Sequence, residues 1–214
     1  MNDQTRNVLR NTVTQCRRLL EEDVLDQLQG HFGIHSSGRT EAEDALPHLD
    51  AEGLEVRRRA VAAVEHIQGY GASPADAVDQ FQREVAFTHL NRLCAFKMLE
   101  RRGILEETVS RGANSNGFKV YLADHPDDER LWQTGGEHQA YRNFLFYVCS
   151  QLSEEIKVLF DTEYISSHLF PDRRALEAVL ELINAEPLED VWDSDETIGW
   201  IYQYFTPKEQ REKA

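Results

Sequence analysis

Apolar residues recur at intervals of three and four from the start of the chain. Leu9, Val13, Cys16, Leu20, Val24 and Leu28 predict one long helix over about 3–29 with a single buried face, and Gly30 stops it. The next stretch, to Gly53, lacks this period. It carries Gly, Ser, Pro and many acids and reads as loop, with a short helical turn around Glu41–Leu46. A second helix over about 54–68 follows from Val56, Ala60, Ala63, Val64 and Ile67, and Gly69 and Gly71 end it. Ser73-Pro74-Ala75-Asp76 is the clearest start signal in the chain: Ser73 can accept a hydrogen bond from an orphan amide, and Pro74 suits the first helical position. The helix that follows should reach about Arg101. From Val85 to Leu99 it is apolar nearly all round, which predicts a path through the core, and Gly103 suits the position past its end.

Residues 105–122 break the helical pattern. Thr108-Val109-Ser110 and Phe118-Lys119-Val120-Tyr121-Leu122 flank a Gly/Asn cluster and predict a small β-hairpin, followed by a polar loop over Asp124–Glu129. Tyr141, Leu145, Val148, Leu152, Ile156 and Leu159 predict a helix over about 137–159. Pro171 opens another through Leu176, Val179, Leu180 and Ile183. A last helix, capped by Asp193 or Ser194, buries Ile198, Ile201, Tyr202 and Phe205 and ends before Pro207. The sum is a mostly α, bundle-like single domain over 1–214. It has a long helix (1–30), a loop-rich part (31–53), a helix pair (54–103), a hairpin and loop (104–136) and C-terminal helices (137–207).

With 214 residues the chain can bury a core without disulfide or metal staples. Lys and Arg number 23 against 38 Asp and Glu, a net charge of −15. A surface of that sign repels phosphate backbones, which argues against non-specific nucleic-acid binding by the whole surface. Cys16, Cys94 and Cys149 are far apart, each in an apolar stripe, and read as buried small hydrophobes rather than a disulfide framework or a zinc ribbon. The first residues lack the basic-then-apolar run of a signal peptide, and no apolar run approaches the roughly 18 residues that span a bilayer. A reduced, cytoplasmic protein with no membrane partner is expected.

Few residues offer chemistry. His31 and His35 have a metal-ligand spacing, but Gly30 and Gly33 argue against a helix there, and no third ligand is evident. Asp124-His125-Pro126-Asp127-Asp128-Glu129 lacks the ligand period of a calcium loop. Gly69-Tyr70-Gly71 follows a predicted helix, whereas a cofactor loop should follow a strand. No catalytic, cofactor-binding or metal-binding residue is assigned. Arg57, Arg58 and Arg59 are the best candidates for a DNA phosphate contact, because three adjacent arginines are not cheaply buried together. Arg17-Arg18, Arg101-Arg102 and Arg173-Arg174 read as solvated or ion-paired. Asn91-Arg92 lies inside the most apolar helix, so Arg92 must reach an acid or a carbonyl or leave the core.

Two stretches resemble a known family. One is Ala86-Phe87-Thr88-His89-Leu90-Asn91-Arg92-Leu93-Cys94-Ala95-Phe96-Lys97-Met98-Leu99-Glu100-Arg101-Arg102-Gly103-Ile104-Leu105, and the other is Glu196-Thr197-Ile198-Gly199-Trp200-Ile201-Tyr202-Gln203-Tyr204-Phe205. Both are similar to the N-terminal region of the large adenine-specific DNA methyltransferases of phage-defence systems, above all the PglX-type enzymes of BREX systems. Leu169-Phe170-Pro171 also resembles a feature of that family. The resemblance implies a parent enzyme that moves a methyl group from S-adenosylmethionine to the N6 of adenine in DNA. That chemistry needs a glycine-rich cofactor turn and an Asn/Asp-Pro-Pro-Tyr/Phe loop, and this sequence contains no Pro-Pro at all. The resemblance therefore implies a non-catalytic helical module, with S-adenosylmethionine bound by the parent and not by this chain. It would pack against the methyltransferase core or other defence-complex subunits and reach DNA through the parent. Asn91, Arg92, Gly103 and Gly199 are its structural motif residues, and Trp200, Tyr202, Tyr204 and Phe205 are candidates for an interdomain interface, unless they close this chain's own core. The alternative is a stand-alone acidic regulatory subunit without enzyme activity.

Overall fold

The computed structural model describes residues 2–154 and 156–205. Two helices of 28 residues, α1 (Asp3–Gly30) and α3 (Pro74–Arg101), lie against each other and organise the rest. Each has a local reason to start where it does. The Asn2 side chain accepts the Thr5 N–H at 2.8 Å, and Ser73 accepts the Asp76 N–H at 3.2 Å with Pro74 in the first turn. The end of α3 is closed by Gly103 in the left-handed region (φ +66°). Its N–H bonds Glu100 O, and the Ile104 N–H bonds Leu99 O, the paired reverse bonds that a glycine after a helix permits.

The two long helices pass through two apolar clusters. The smaller joins Val24 and Leu28 of α1 to α2 (Ala51–Gly69), to the first half of α3 and to Phe32, Ile34, Leu46 and Leu49 of the intervening segment. The larger joins the first half of α1 and the second half of α3 to α4 (Asn116–Asp124), α6 (Glu137–Leu152), α9 (Arg173–Ile183) and α10 (Thr197–Phe205), with a 3-10 helix at Glu186–Asp193. Short helices α5 (Pro126–Gln133), α7 (Lys157–Phe160) and α8 (Ile165–His168) complete the chain. Cys16, Cys94 and Cys149 are buried free thiols. Among the described residues there is no β-strand, only one isolated bridge between Ile34 and Thr40, and no helix is long and apolar enough to cross a membrane.

The predicted hairpin at 105–122 is instead a 3-10 turn at Gly112–Asn114 followed by α4. Phe118, Tyr121 and Leu122 are buried while Lys119 and Val120 are exposed, which is the period of a helix and not of a strand. The amides that a hairpin would pair across strands are taken by carboxylates: Glu100 accepts from Thr108 and Val109, and Glu107 accepts from Asn116 at 2.8 Å. The polar loop expected at 124–129 is mostly the start of α5, where Pro126 is followed by three acids that favour a helix N-terminus. The helix expected over 137–159 stops at Leu152, and Ile156 is exposed. In α10, Thr197, Ile201 and Phe205 point inward, whereas Ile198 and Tyr202, expected inside, are 38% and 54% exposed.

The break after α6 has a physical counterpart in α3. Arg92 is buried and directs its guanidinium at the segment between α6 and α9. It donates to Leu159 O at 2.7 Å, Asp161 O at 2.8 Å and Ser167 Oγ at 2.9 Å. A continuous helix through 159–161 would have turned those carbonyls onto its own amides. We expect Arg92→Met to destabilise the chain by about 3 kcal/mol, because up to three acceptors lose a charged donor at once, and Arg92→Lys, with one compact donor group, to fall between. Urea denaturation of the three proteins measures this.

Candidate functional site

The arginine triplet sits on α2, and its three side chains go three ways. Arg57 is buried and donates to Phe32 O at 2.9 Å and to Glu41 O, fastening the 31–42 segment onto α2. Arg58 makes a two-pronged bond to Glu43 at 2.9 and 2.8 Å. Arg59 donates to Glu163 O and lies 3.1 Å from His168 Nε2. Each guanidinium thus has an internal partner, and the three do not form a common basic surface. The acid-rich stretch 181–196 is partly neutralised in the same way: Arg101 pairs with Glu189 and Asp193, and Arg102 with Asp195.

The α3 motif is a clamp on the chain itself. His89 stands one turn before Arg92 and is 3% exposed. Its Nε2 lies 2.9 Å from Ser166 O and 3.0 Å from Leu169 O. Carbonyls only accept, so Nε2 carries a proton. Burial, reinforced by the Arg92 charge, pushes the imidazole down to about 3. From α1, Gln27 donates to Phe170 O at 3.0 Å and to Asp23 at 2.9 Å. Burial, with the Asp172 carboxylate beside it, pushes the Asp23 carboxyl up to about 6. Asn91, next to the clamp, is half-buried, and its Oδ1 has no hydrogen-bond partner among the described residues.

Sequence reasoning singled out Arg92 but missed His89, Asp23 and Gln27. The available signal was a pair of polar residues three apart inside an apolar stripe of α3. A similar network ties Lys97 Nζ to Ser110 Oγ at 2.7 Å and Ser110 to Glu100, whose carboxylate already holds two backbone amides; it shapes a turn. A half-open cleft of about 440 Å³ runs from the 110–114 turn past Trp132 to α9. Its arginines are ion-paired, Arg111 to Glu107 and Arg173 to Glu137 and Glu177. His31 and His35 do not converge: His35 pairs with Glu41, and among the described residues no three metal-ligating side chains gather.

The four interface candidates of α10 divide between the chain's own packing and its surface. Phe205 is buried and meets Phe87 at 4.8 Å between ring centres. Trp200 and Tyr204 stack on each other at 5.6 Å and lie against α1, under Arg6 and Arg10. Tyr202 remains outside, edge-on to Phe87 at 5.7 Å. Gly199 is exposed, and a Cβ added there would meet nothing within 4 Å. Nothing in the described residues therefore requires a glycine at that position. The Gly69-Tyr70-Gly71 turn joins two helices and has no strand before it, so it lacks the strand–turn–helix geometry that holds S-adenosylmethionine.

Over 140 residues the chain is 29% identical to the adenine-specific methyltransferase BrxX of Escherichia coli O9:H4 (strain HS). The match covers 56% of this chain and 11% of BrxX, so the chain spans a small part of the relative's length. No family model and no solved structure matches.

Two predictions follow from the buried titratable groups and one from the glycine. His89 has a folded value below its unfolded one, so its contribution is whole above pH about 6.5 and is lost as pH falls toward 3. Asp23 has the opposite sign: its ionised form is disfavoured above pH 6, and the chain gains stability as pH falls from 6 toward 3.8. Urea midpoints at neutral and acidic pH should show His89→Gln losing less on acidification than the parent. Asp23→Asn should differ from the parent most at neutral pH and converge with it in acid. Gly199→Ala should raise the unfolding free energy by about 0.5–1 kcal/mol, the helix-propensity difference with no clash to offset it.

Proposed function

We propose that this chain is a non-catalytic helical module of an adenine-specific DNA methyltransferase of a BREX-like phage-defence system, acting in the cytoplasm as scaffold and docking element. The observation that carries the reading is the 29% identity to BrxX over 56% of the chain. The PglX-like motifs lie mostly on α3, one of the two helices that both apolar clusters share, and on α10. Methyl transfer requires a site for S-adenosylmethionine and a pocket for a flipped adenine. This sequence contains no Pro-Pro, and hence no Asn/Asp-Pro-Pro-Tyr/Phe loop of the kind that holds the flipped base. In this reading both belong to the parent enzyme, and DNA is engaged there too, since Arg57, Arg58 and Arg59 are already held within the chain and the net charge is −15.

The test is to produce the tagged chain together with a BREX-type adenine methyltransferase polypeptide expressed from a second vector. The two should co-purify, and labelled methyl should pass from S-adenosylmethionine to adenine in duplex DNA only when that polypeptide is present. Methyl transfer by this chain alone, or failure of the two to associate at micromolar concentration, overturns the proposal.

A further inference from the structure

We propose that the outer face of α10 seats a basic amphipathic helix of the docking partner. This deepens the module reading by giving the contact a location and the partner a chemistry. Ile198 and Tyr202 are one helical turn apart and both exposed, and Tyr202 continues onto the partly buried ring of Phe87. They form a short apolar ridge on a helix whose Ile201 and Phe205 are already buried and whose Trp200 and Tyr204 pack against α1. Beside the ridge, Gly199 opens a shallow depression of about 570 Å³ bounded by Glu196, Trp200, Tyr202 and Gln203. A ridge next to a residue without a side chain is the relief into which a second helix packs closely, its own ridge entering the gap. Among the described residues, nothing beyond its neighbours and the helix's own backbone comes within 4 Å of a Cβ at Gly199, so the gap is open to a partner.

Charge decides which partner. Glu196 borders the depression, accepts a hydrogen bond from Trp200 Nε1 at 3.4 Å and makes no ion pair among the described residues; Arg6, over the Trp200 ring, is already paired with Asp3, so the rim keeps the acidic sign of a chain of net charge −15. A second copy would bring the same acidic rim and the same −15 to the contact, and like charges facing each other disfavour it. A helix with apolar residues on one side and Lys or Arg at its flanks complements both the ridge and the rim.

The probe is a fluorescein-labelled peptide of three heptads, with leucine at the apolar positions and lysine elsewhere, titrated with the full chain and read by anisotropy. Binding should be saturable and should weaken as salt is raised. Tyr202→Glu and Ile198→Glu should each weaken it by about tenfold or more, as expected for central contacts. Gly199→Gln should weaken it similarly while leaving thermal unfolding unchanged or raised, which separates a blocked gap from a damaged fold. Val120→Glu, an exposed apolar site on α4, should leave binding unchanged. Equal binding of a peptide with glutamate in place of lysine, equal binding by the α10 variants, or no binding at all overturns the proposal. So does sedimentation as a dimer that Tyr202→Glu dissolves, which would put a second copy on the face. If the methyltransferase polypeptide stays bound to Tyr202→Glu and Gly199→Gln, the module reading stands and this surface falls. If it never binds while the lysine peptide binds through α10, the surface stands and the module reading falls.

Discussion

The fold depends on how one irregular segment disposes of its carbonyls. Residues 156–172 run between α6 and α9 with only two single-turn helices, so many of their backbone oxygens have no partner within the segment. Donors reach them from three long helices. Arg92 and His89 of α3 take Leu159, Asp161, Ser166 and Leu169; Gln27 of α1 takes Phe170; Arg59 of α2 takes Glu163. Leu169 is fully buried in the smaller apolar cluster and Phe160 in the larger. The clamp therefore fixes the segment that bridges both clusters. A buried guanidinium is costly to desolvate, and it is tolerated here because its donors meet acceptors that would otherwise be orphaned.

What was legible in the sequence follows from which interactions are local. The long helices α1 and α3 show in the three-and-four spacing of their apolar residues, and Ser73-Pro74 and Gly103 mark real ends because caps are made by neighbouring residues. Where the reading failed locally, the signal was present but misjudged. Phe118, Tyr121 and Leu122 already had helical spacing, and Ser115 was in place to cap them. Pro126 with Asp127, Asp128 and Glu129 is a helix start by the same rules that identified α3. The stop at Leu152 is different in kind. The apolar step continues through Ile156 and Leu159, and the chain departs from it where Arg92, more than sixty residues away, takes up two carbonyls. No local rule contains that information.

The candidate sites divide along the same line. Arg57, Arg58 and Arg59 looked like a surface cluster because adjacency in sequence was the only evidence. Successive residues on a helix point about 100° apart, and each found a different neighbour: a loop, a carboxylate and the clamped segment. The pairing of the acids at 189–195 with Arg101 and Arg102 at the end of α3 joins parts of the chain some ninety residues apart, and no local pattern shows it. A net charge of −15 thus coexists with arginines that are mostly engaged inside the chain; each ion pair removes an acid together with an arginine, so the excess of acids is unchanged by pairing.

The motif of α10 carries two kinds of constraint that a string of letters cannot separate. Ile201, Phe205, Trp200 and Tyr204 are accounted for by this chain, through burial and through stacking on α1 under two arginines. Among the described residues Ile198 and Gly199 are not, and Tyr202 only in part, through its edge against Phe87. An exposed glycine inside a helix weakens it, and two large apolar side chains in water forgo burial that the same helix gives to their neighbours. Helix α10 would be more stable on its own terms with alanine at 199 and polar residues at 198 and 202. Positions that depart from local preference without a compensating contact inside the molecule point to a contact outside it. The arrangement of those three residues, a ridge beside a gap with a carboxylate at its edge, describes the shape and charge of what would fit there.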